Sequence, residues 1–410
     1  MNSLWRNREF NLLWVGQCLS DLGGAVAMLA LPLLVLTLTD SPVQAGLVGT
    51  IAQVTRLVCR LPVGVLVDRV NRRRAMLGCD LVRLVAFTSL GTMIVTGRAN
   101  LIMIIAIAVV DAAGGTLFGT AEHAALRSIV PAPQLPAAVA RNEARSYGTS
   151  LAGPPLGGLL FGLGQALPFF GNALSYLASM IGVALIRRPL QAARQDTTDG
   201  YATAMAAGLR FVFRNPFLRA VLLISAPLNF AINGVIFTII VTLQRHDTPP
   251  AVIGLAETIL GVGGLLGAFA APLLQRWLGL TSLVRTICRT ATGLLASGVL
   301  LTPSLAAAAP VALTLFLAPA CNAALFGYQA SITPDRLQGR VISVIFLVAT
   351  SAAAAAPLLA GVLVTTWSSP TAILIFALTV SGSAITATLG TGIRGMRSLN
   401  DAALEEAPVR

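Results

Sequence analysis

Charged side chains inside apolar runs of the sequence are the residues that could do chemistry in this protein. A charged group inside a bilayer is energetically costly and is a functional candidate by default. Asp111 lies near the middle of the apolar run 100–121, and Asp21 lies well inside the run 10–38. We expect both acids to be candidates for proton coupling, because such a carboxyl group can bind and release a proton. The alternative is a structural acid that pairs with an arginine or with backbone groups.

Among the other charged residues in apolar runs, four are further candidates for proton or substrate coupling: Arg56, Asp80, Arg83 and Glu257. Asp80 and Arg83 are three residues apart, a spacing that predicts a local pair on one helix face. Arg56 could form an anionic-substrate site or link to Asp80, whereas Arg60 is expected to snorkel to the inner membrane surface. Glu257 lies near the outer end of its run, which favours a role at the rim of the membrane.

Two more acids, Glu122 and Glu143, lie near the inner ends of two apolar runs, beside several arginines. Opposite charges a few ångströms apart stabilise each other. We therefore expect these acids to neutralise Arg127, Arg141 or Arg145.

The sequence contains no enzyme signature. It has no G-x-x-x-x-G-K-[ST] phosphate loop and no lysine, which argues against ATP hydrolysis. The five cysteines form no C-x-x-C pair and are typical of small buried hydrophobic residues. The two histidines have no neighbours that could complete a metal site, so we expect no metal.

The composition indicates an integral membrane protein. Of 410 residues, 56% are hydrophobic and 11% are charged, and the mean hydropathy is +0.81. A soluble domain has about a quarter of its residues charged, and a soluble chain this apolar would aggregate. All 28 basic residues are arginine, and most fall on one side of the apolar runs. This bias explains the net charge of +12 without a nucleic-acid partner and predicts cytoplasmic termini.

Twelve apolar runs are long enough to cross a bilayer, which needs about 20 residues per helix. They are 10–38, 43–67, 75–97, 100–121, 142–165, 167–186, 217–243, 251–274, 282–302, 310–332, 338–366 and 370–393. The predicted fold class is therefore all-α, a polytopic membrane protein with twelve transmembrane helices.

A weak internal repeat divides the chain into two halves. Residues recur at one fixed spacing: Ile129 as Ile332, Pro131 as Pro334, Pro154 as Pro357 and Gly158 as Gly361. We predict an N-terminal six-helix half in 1–186, a cytoplasmic central loop in 187–216, and a C-terminal six-helix half with a short tail in 217–410. Within the loop, Arg210 and Arg214 predict a short helix on the inner membrane surface; a plain linker is the alternative.

The stretch GVLVDRVNRRR, between the second and third runs, combines dense positive charge with a single acid. The residues of interest are Gly64, Asp68, Arg69, Arg72 and Arg73. Gly64 lies one helical turn before Asp68, so a neighbouring helix could approach the carboxylate closely. We predict a latch that forms in one conformation and breaks in another; a solvated loop charge is the alternative.

This stretch resembles the G-x-x-x-D-R-x-G-R-R signature of the major facilitator superfamily. Asn71 replaces the inner glycine of the signature, and asparagine tolerates the left-handed turn that glycine supplies. The resemblance extends over the whole chain. It implies alternating access, in which two six-helix halves rock about a site near the membrane midplane.

A second stretch, GTSLAGPPLGG in the fifth run, resembles the antiporter motif of drug-exporting branches of that superfamily. Its residues are Gly148, Gly153, Pro154, Gly157 and Gly158. Pro154 removes a backbone hydrogen bond and bends the helix, while the glycines leave room for close packing. The expected partner is the eighth run, which carries Gly261, Gly263, Gly264 and Gly267. Ordinary small-residue packing is the alternative.

The stretches 121–131, 141–145 and 208–216 are similar to the enterobactin-exporter and macrolide-efflux group of the superfamily. The first helix of that group often has an acid directly after a glycine. Here Gly24 occupies that position, and Asp21 lies three residues earlier on the same face. The resemblance implies export of a small, partly hydrophobic compound, such as an antibiotic, drug or siderophore, by proton antiport.

The resemblance also implies a monomer in the bacterial cytoplasmic membrane. Its partners would be a small-molecule substrate, protons and the lipid bilayer. It would need no cofactor, because the proton gradient supplies the energy. Two alternatives remain open: an importer or uniporter of the same fold, and a non-transporting membrane sensor or scaffold.

Overall fold

The computed structural model describes residues 4–191 and 209–394, and nearly all of them are helical. The first six long helices are α1 (Arg8–Thr39), α2 (Pro42–Arg69), α3 (Arg72–Val95), α4 (Leu101–Ile129), α5 (Leu135–Leu163) and α6 (Leu167–Leu185). The later helices are α7 (Pro216–Arg245), α8 (Pro250–Trp277), α9 (Leu280–Ser297), α10 (Ala308–Ile332), α11 (Asp335–Ala354), α12 (Ala356–Thr366), α13 (Ser369–Leu389) and the single turn α14 (Thr391–Arg394). The described residues contain no strand, and the all-α prediction is confirmed.

Most of the predicted central loop lies outside the described part of the chain, which omits residues 192–208. Residues 209–214, which include Arg210 and Arg214, are helical and directly precede α7. The interfacial position of this helix stays a prediction.

Polar residues at the turns fix where several helices begin. The side chains of Asn7, Ser41, Asn71, Asn100 and Ser368 each accept a hydrogen bond from the backbone N–H three residues later. Each such N-cap satisfies a donor that the helix start leaves open, which stabilises the helix by about 1 kcal/mol. Asn71 has φ −68° and ψ 112°, so its backbone is extended. The left-handed turn expected at Asn71 is therefore wrong, because this residue caps α3.

Nine helical stretches among the described residues are long and apolar enough to cross a membrane. They are α1, α3, α4, α6, α7, α8, α10 with the turn before it, α11 with α12, and α13. The other three long helices, α2, α5 and α9, contain arginines, which lower their hydropathy. The polytopic membrane class is confirmed, whereas the number twelve stays a prediction.

Prolines at the repeat positions have the same consequence in one pair and different consequences in the other. Helix α4 ends two residues before Pro131, and α10 ends two residues before Pro334. Helix α5 continues through Pro154, but the corresponding Pro357 follows a break at Ala355 between α11 and α12. The predicted single segment 338–366 is therefore two helices, because Pro357 lacks an N–H and its ring crowds the preceding turn.

The chain divides into two compact units. The first unit comprises Met1–Asp196 with Leu243–Thr258, and the second comprises Thr197–Thr242 with Ile259–Arg410. In the first unit α1 packs against α5 and α6, α3 packs against α4 and α6, and α2 packs against α4. In the second unit α9 packs against α10 and α13. The packing of the first unit brings charged residues from four helices, α1 to α4, around one cavity that α5 also lines.

Candidate functional site

The cavity of the first unit has a volume of about 740 Å³ and lies among α1 to α5. Six charged side chains line it: Asp21, Arg56, Arg60, Arg83, Asp111 and Glu122. Polar and apolar side chains also line the cavity, so it is a mixed environment. The sequence-predicted residues Asp80 and Glu257 do not line this cavity.

Arg83 on α3 forms an ion pair with Asp111 on α4. Both Nη2 and Nε of Arg83 lie 2.9 Å from Oδ1 of Asp111. The two side chains are only 11% and 19% exposed, so water screens the pair weakly. Asp111 therefore has the geometry expected for the alternative stated above, an acid that pairs with an arginine.

Tyr176 on α6 completes this cluster, and sequence reasoning missed it. Its hydroxyl donates a hydrogen bond of 2.8 Å to Oδ1 of Asp111, and Asn172 donates one of 3.2 Å to the hydroxyl oxygen. The guanidinium carbon of Arg83 lies 4.0 Å from the centre of the Tyr176 ring, a cation–π contact. A signal was present in the sequence, because Asn172 and Tyr176 are polar residues one turn apart in an apolar helix.

Asp80 is fully buried between α3, α6 and α1. The Ser179 hydroxyl donates to Oδ2 of Asp80 at 2.7 Å, and Gln17 donates to that hydroxyl at 2.9 Å. Among the described residues, Oδ1 of Asp80 has no hydrogen-bond partner. The prediction of a local pair between Asp80 and Arg83 is wrong, because Arg83 pairs with Asp111 on α4 while Asp80 accepts a hydrogen bond from Ser179.

Asp21 belongs to a three-residue cluster that joins α1, α5 and α4. Nε of Arg145 lies 2.9 Å from Oδ2 of Asp21, and Nη1 of Arg145 donates to Oε1 of Glu122 at 2.9 Å. Arg145 and Glu122 are buried, with side chains 6% and 5% exposed, whereas Asp21 is 35% exposed. The expected neutralisation of an arginine by Glu122 is confirmed, and Glu143 is exposed.

Arg56 and Arg60 reach the cavity from α2. Nη1 of Arg56 donates a hydrogen bond of 3.0 Å to Oε1 of Gln53 on the same helix. The suggested link from Arg56 to Asp80 is not formed, because Asp80 is bound by Ser179. Glu257 on α8 is half-buried and has no ion pair within the described part of the chain.

The described part of the latch motif connects the start of α3 to residues near the ends of α4 and α6. Arg72 is buried and donates to the carbonyl oxygens of Ala124 at 3.2 Å and Leu190 at 3.1 Å. Arg73 donates to the carbonyl oxygen of Ala184. The side chains at positions 64, 68 and 69 lie outside what the structure describes. The latch role of Gly64, Asp68, Arg69, Arg72 and Arg73 therefore stays a prediction.

The glycines of the antiporter motif face two different neighbours within the first unit. A Cβ on Gly157 would lie 2.7 Å from the Val26 carbonyl oxygen, and Gly153 packs equally closely on Ala25, both on α1. Gly158 packs on the Pro250 carbonyl at the start of α8, and Gly254 packs on the Pro154 carbonyl. Gly148 has open space around it.

The glycines of α8 that were expected to receive α5 pack elsewhere. Gly263 and Gly267 lie against backbone atoms of Ala312 and Phe316 on α10, in the second unit. Gly254, nearer the start of α8, supplies the close approach to Pro154 instead. A run of glycines shows that close packing is possible but does not identify the partner helix.

The sequence profile described as Major Facilitator Superfamily matches residues 13–357. The chain is 26% identical over 358 residues to the multidrug efflux pump Tap of Mycolicibacterium fortuitum, covering 83% of this chain and 85% of that protein. It is 24% identical over 265 residues to macrolide efflux protein A of Streptococcus pyogenes, covering 63% of this chain and 65% of that protein.

Solved structures share the fold. A bacterial homologue of the human lysosomal transporter Spinster superposes with a TM-score of 0.72 at 14% identity, covering 96% of this chain and 97% of that chain. A bacterial homologue of the iron transporter ferroportin gives a TM-score of 0.72 at 17% identity, covering 93% of this chain and 100% of that chain. Identities this low show the fold alone.

No group of three or more His, Cys, Asp or Glu that could hold a metal ion occurs among the described residues here.

Proposed function

The chain belongs to the major facilitator superfamily, and we propose that it exports a small, partly hydrophobic compound from a bacterium by proton antiport. Membership of the family makes it a multi-pass membrane transporter and not an enzyme. The names of its relatives favour efflux as the direction, because one is a multidrug efflux pump and another a macrolide efflux protein. We place it in the cytoplasmic membrane as a monomer with both termini inside.

The observation that carries the proposal is the pairing of two cavity acids with buried arginines. Asp111 pairs with Arg83 and Asp21 with Arg145, and each pair joins two different helices. A proton taken up by either carboxylate removes its negative charge and breaks the pair. When Asp111 is protonated, the buried Arg83 lacks an ion-pair partner, which is strongly unfavourable and favours a rearrangement of the helices. When Asp21 is protonated, Arg145 loses its bond to α1 and keeps its pair with Glu122 on α4. Proton binding is thereby coupled to movement of the cavity wall.

The lining of the cavity supports a partly hydrophobic substrate. Met28, Leu31 and Phe118 supply apolar surface beside the charged groups. A volume of about 740 Å³ is within the range of sites that hold drug-sized molecules. Six-helix halves in 1–186 and 217–410 would alternate access to it, with the Asp68 stretch as the inner latch and the Pro154 region as a fixed packing point.

Transport into inverted membrane vesicles tests the proposal. A proton gradient would be generated across the membrane of vesicles with and without the protein. The vesicles would then be incubated with a panel of fluorescent and radiolabelled compounds. We expect protein-dependent accumulation of at least one compound, abolished by an uncoupler. Accumulation that survives the uncoupler would contradict proton coupling. Movement only in the opposite direction would indicate an importer, and no movement of any compound would favour a sensor or scaffold.

A further inference from the structure

Two arginines on α2 face the cavity without a carboxylate within ion-pair distance among the described residues. We propose that Arg56 and Arg60 form a binding site for the anionic group of the exported compound, a carboxylate, phosphate or sulfonate. The inference rests on the proposed export function and adds the chemical class of its substrate: an amphiphilic organic anion.

The acids of the cavity are already engaged elsewhere. Asp111 pairs with Arg83, while Asp21 and Glu122 share Arg145. Gln53, a neutral partner, holds Arg56 without cancelling its charge. Arg56 is half-buried and Arg60 exposed, and they are one helical turn apart, so both guanidinium groups lie on one face of α2. Arginine forks match the geometry of carboxylate and phosphate oxygens.

The cavity has open space for a ligand. Gly24 on α1 and Gly119 on α4 both line the cavity, and a Cβ added to either would meet no atom within 4 Å. The apolar side chains Met28, Leu31 and Phe118 line it as well. A ligand that fits this arrangement has a hydrophobic body and one anionic end.

The headgroup of an anionic phospholipid offers the same chemistry as a soluble organic anion. Both sources would place an oxyanion on Arg56 and Arg60. The two are separated by changing the charge of the surrounding lipid while the soluble probe is kept constant.

The test uses the full-length protein in nanodiscs of neutral phosphatidylcholine and a matched pair of fluorescent probes. One is 8-anilinonaphthalene-1-sulfonate, and the other is N-phenyl-1-naphthylamine, the same ring system without the sulfonate. After subtraction of empty discs, we expect the sulfonate to bind at least about tenfold more tightly, the usual effect of a charge-assisted hydrogen bond.

Variants identify the site. Arg56→Gln and Arg60→Gln should each weaken sulfonate binding by about tenfold and leave binding of the neutral probe unchanged. Arg60→Lys should retain part of the affinity, because it keeps the charge but loses the fork. Arg98→Gln, an exposed arginine outside the cavity, is the matched control and should bind both probes like the wild type. A size-exclusion profile like that of the wild type shows that each variant is folded.

Equal affinity of the wild type for the two probes would overturn the proposal, as would sulfonate binding that both Arg→Gln variants keep. Discs that contain phosphatidylglycerol then identify the source. Competition by this lipid in the wild type but not in the variants would assign the site to a lipid headgroup, and its absence would assign the site to a soluble anion. No proton gradient is present, so a failure of proton coupling leaves these results unchanged. Conversely, a wild type that shows no preference for the sulfonate would overturn the anion site and leave the proposal of proton-driven export standing, which the vesicle assay tests separately.

Discussion

At the scale of single residues, Asp111 is the acid whose loss should affect both stability and coupling. Asp111→Asn leaves Arg83 largely buried without its counter-charge, and we expect the free energy of unfolding to fall by about 3–5 kcal/mol. We also expect proton-driven export to be abolished. Thermal unfolding of the purified protein and accumulation in inverted vesicles measure the two effects.

A double variant provides the control. Arg83→Gln with Asp111→Asn removes both charges together, so most of the stability should return, while export should stay absent. A fully active Asp111→Asn variant would exclude this acid from the coupling mechanism. A double variant no more stable than Asp111→Asn alone would show that the ion pair is not what stabilises the cluster.

Asp21 should behave differently, because Arg145 retains a second partner. In Asp21→Asn the pair between Arg145 and Glu122 remains, so the stability should change by less than about 1 kcal/mol. Proton-driven export should be lost, while exchange of substrate without a gradient should persist. Glu122→Gln is the matched comparison and should destabilise by about 1.5–3 kcal/mol, since it removes a buried charged hydrogen bond. Equal destabilisation by the two variants would contradict this division of roles.

Apart from the pairing of Glu122 with a nearby arginine, the partners of the buried charges were not predicted correctly from the sequence. The sequence predicts that Asp21, Asp111, Arg56 and Arg83 matter, because a charge in an apolar run is conspicuous. Spacing along one helix suggested an Asp80–Arg83 pair, but tertiary packing offers Arg83 a carboxylate on α4. Partners on other helices depend on the rotation of each helix about its axis, which results from tertiary packing and cannot be read from the local pattern of one sequence.

At the scale of helices, the close contact between α5 and the start of α8 should tolerate no added methyl group. A Cβ on Gly158 would meet the Pro250 carbonyl, and one on Gly254 would meet the Pro154 carbonyl. Backbone atoms cannot move aside as a side-chain tip can, so Gly158→Ala and Gly254→Ala should each cost about 1–3 kcal/mol. Gly148→Ala on α5 and Gly264→Ala on α8 meet open space and serve as controls. Unchanged unfolding temperatures for Gly158→Ala and Gly254→Ala would show that the two helices separate easily.

The connection between α2 and α3 should respond to loss of its single negative charge. We expect Asp68→Asn to reach the membrane in normal amounts but to transport at least about tenfold more slowly, because a latch of opposite charges contributes roughly 1–3 kcal/mol. Arg74→Gln, an exposed neighbour outside the motif, is the control and should transport normally. The initial transport rates of the two variants and the wild type would be measured in vesicles and corrected for the amount of protein. A normal rate for Asp68→Asn would exclude a latch that depends on this carboxylate.

Helix ends were predictable where a polar cap or a proline marks them. Ser41 with Pro42, and Asn100, belong to short turn sequences between apolar runs. In the structure, Ser41 caps the start of α2 and Asn100 caps the start of α4. The break at Ala355 was not predicted, because hydropathy continues across it and Pro154 in the other half leaves α5 unbroken. A proline in an apolar run can bend or interrupt a helix, and its packing environment decides which occurs.

At the scale of the whole molecule, the number of membrane crossings and the position of the termini are linked. Within residues 4–191 and 209–394, nine helical stretches are long and apolar enough to cross a membrane, and an odd number of crossings would put the two termini on opposite sides. Twelve crossings put them on the same side. Helices α2 and α5 have 28 and 29 residues, and α9 has 18 and continues into the turn Gly298–Leu301. All three are thus long enough to cross a bilayer core of about 30 Å.

We therefore predict that both termini are cytoplasmic and that α2, α5 and α9 cross the membrane despite their arginines. In the first unit, Arg56 and Arg60 of α2 line the cavity and Arg145 of α5 pairs with the buried Glu122, so the bilayer does not penalise these three arginines. Single cysteines would be introduced into a background without the five native ones, and intact cells would be treated with an impermeant maleimide. Arg98→Cys, in the turn between α3 and α4, should be labelled from outside, whereas Asn2→Cys and Val409→Cys should be labelled only after the cells are opened. Labelling of one terminus in intact cells would require an odd number of crossings. Labelling of both termini would place most arginines outside the cell and so contradict the topology predicted from the arginine bias.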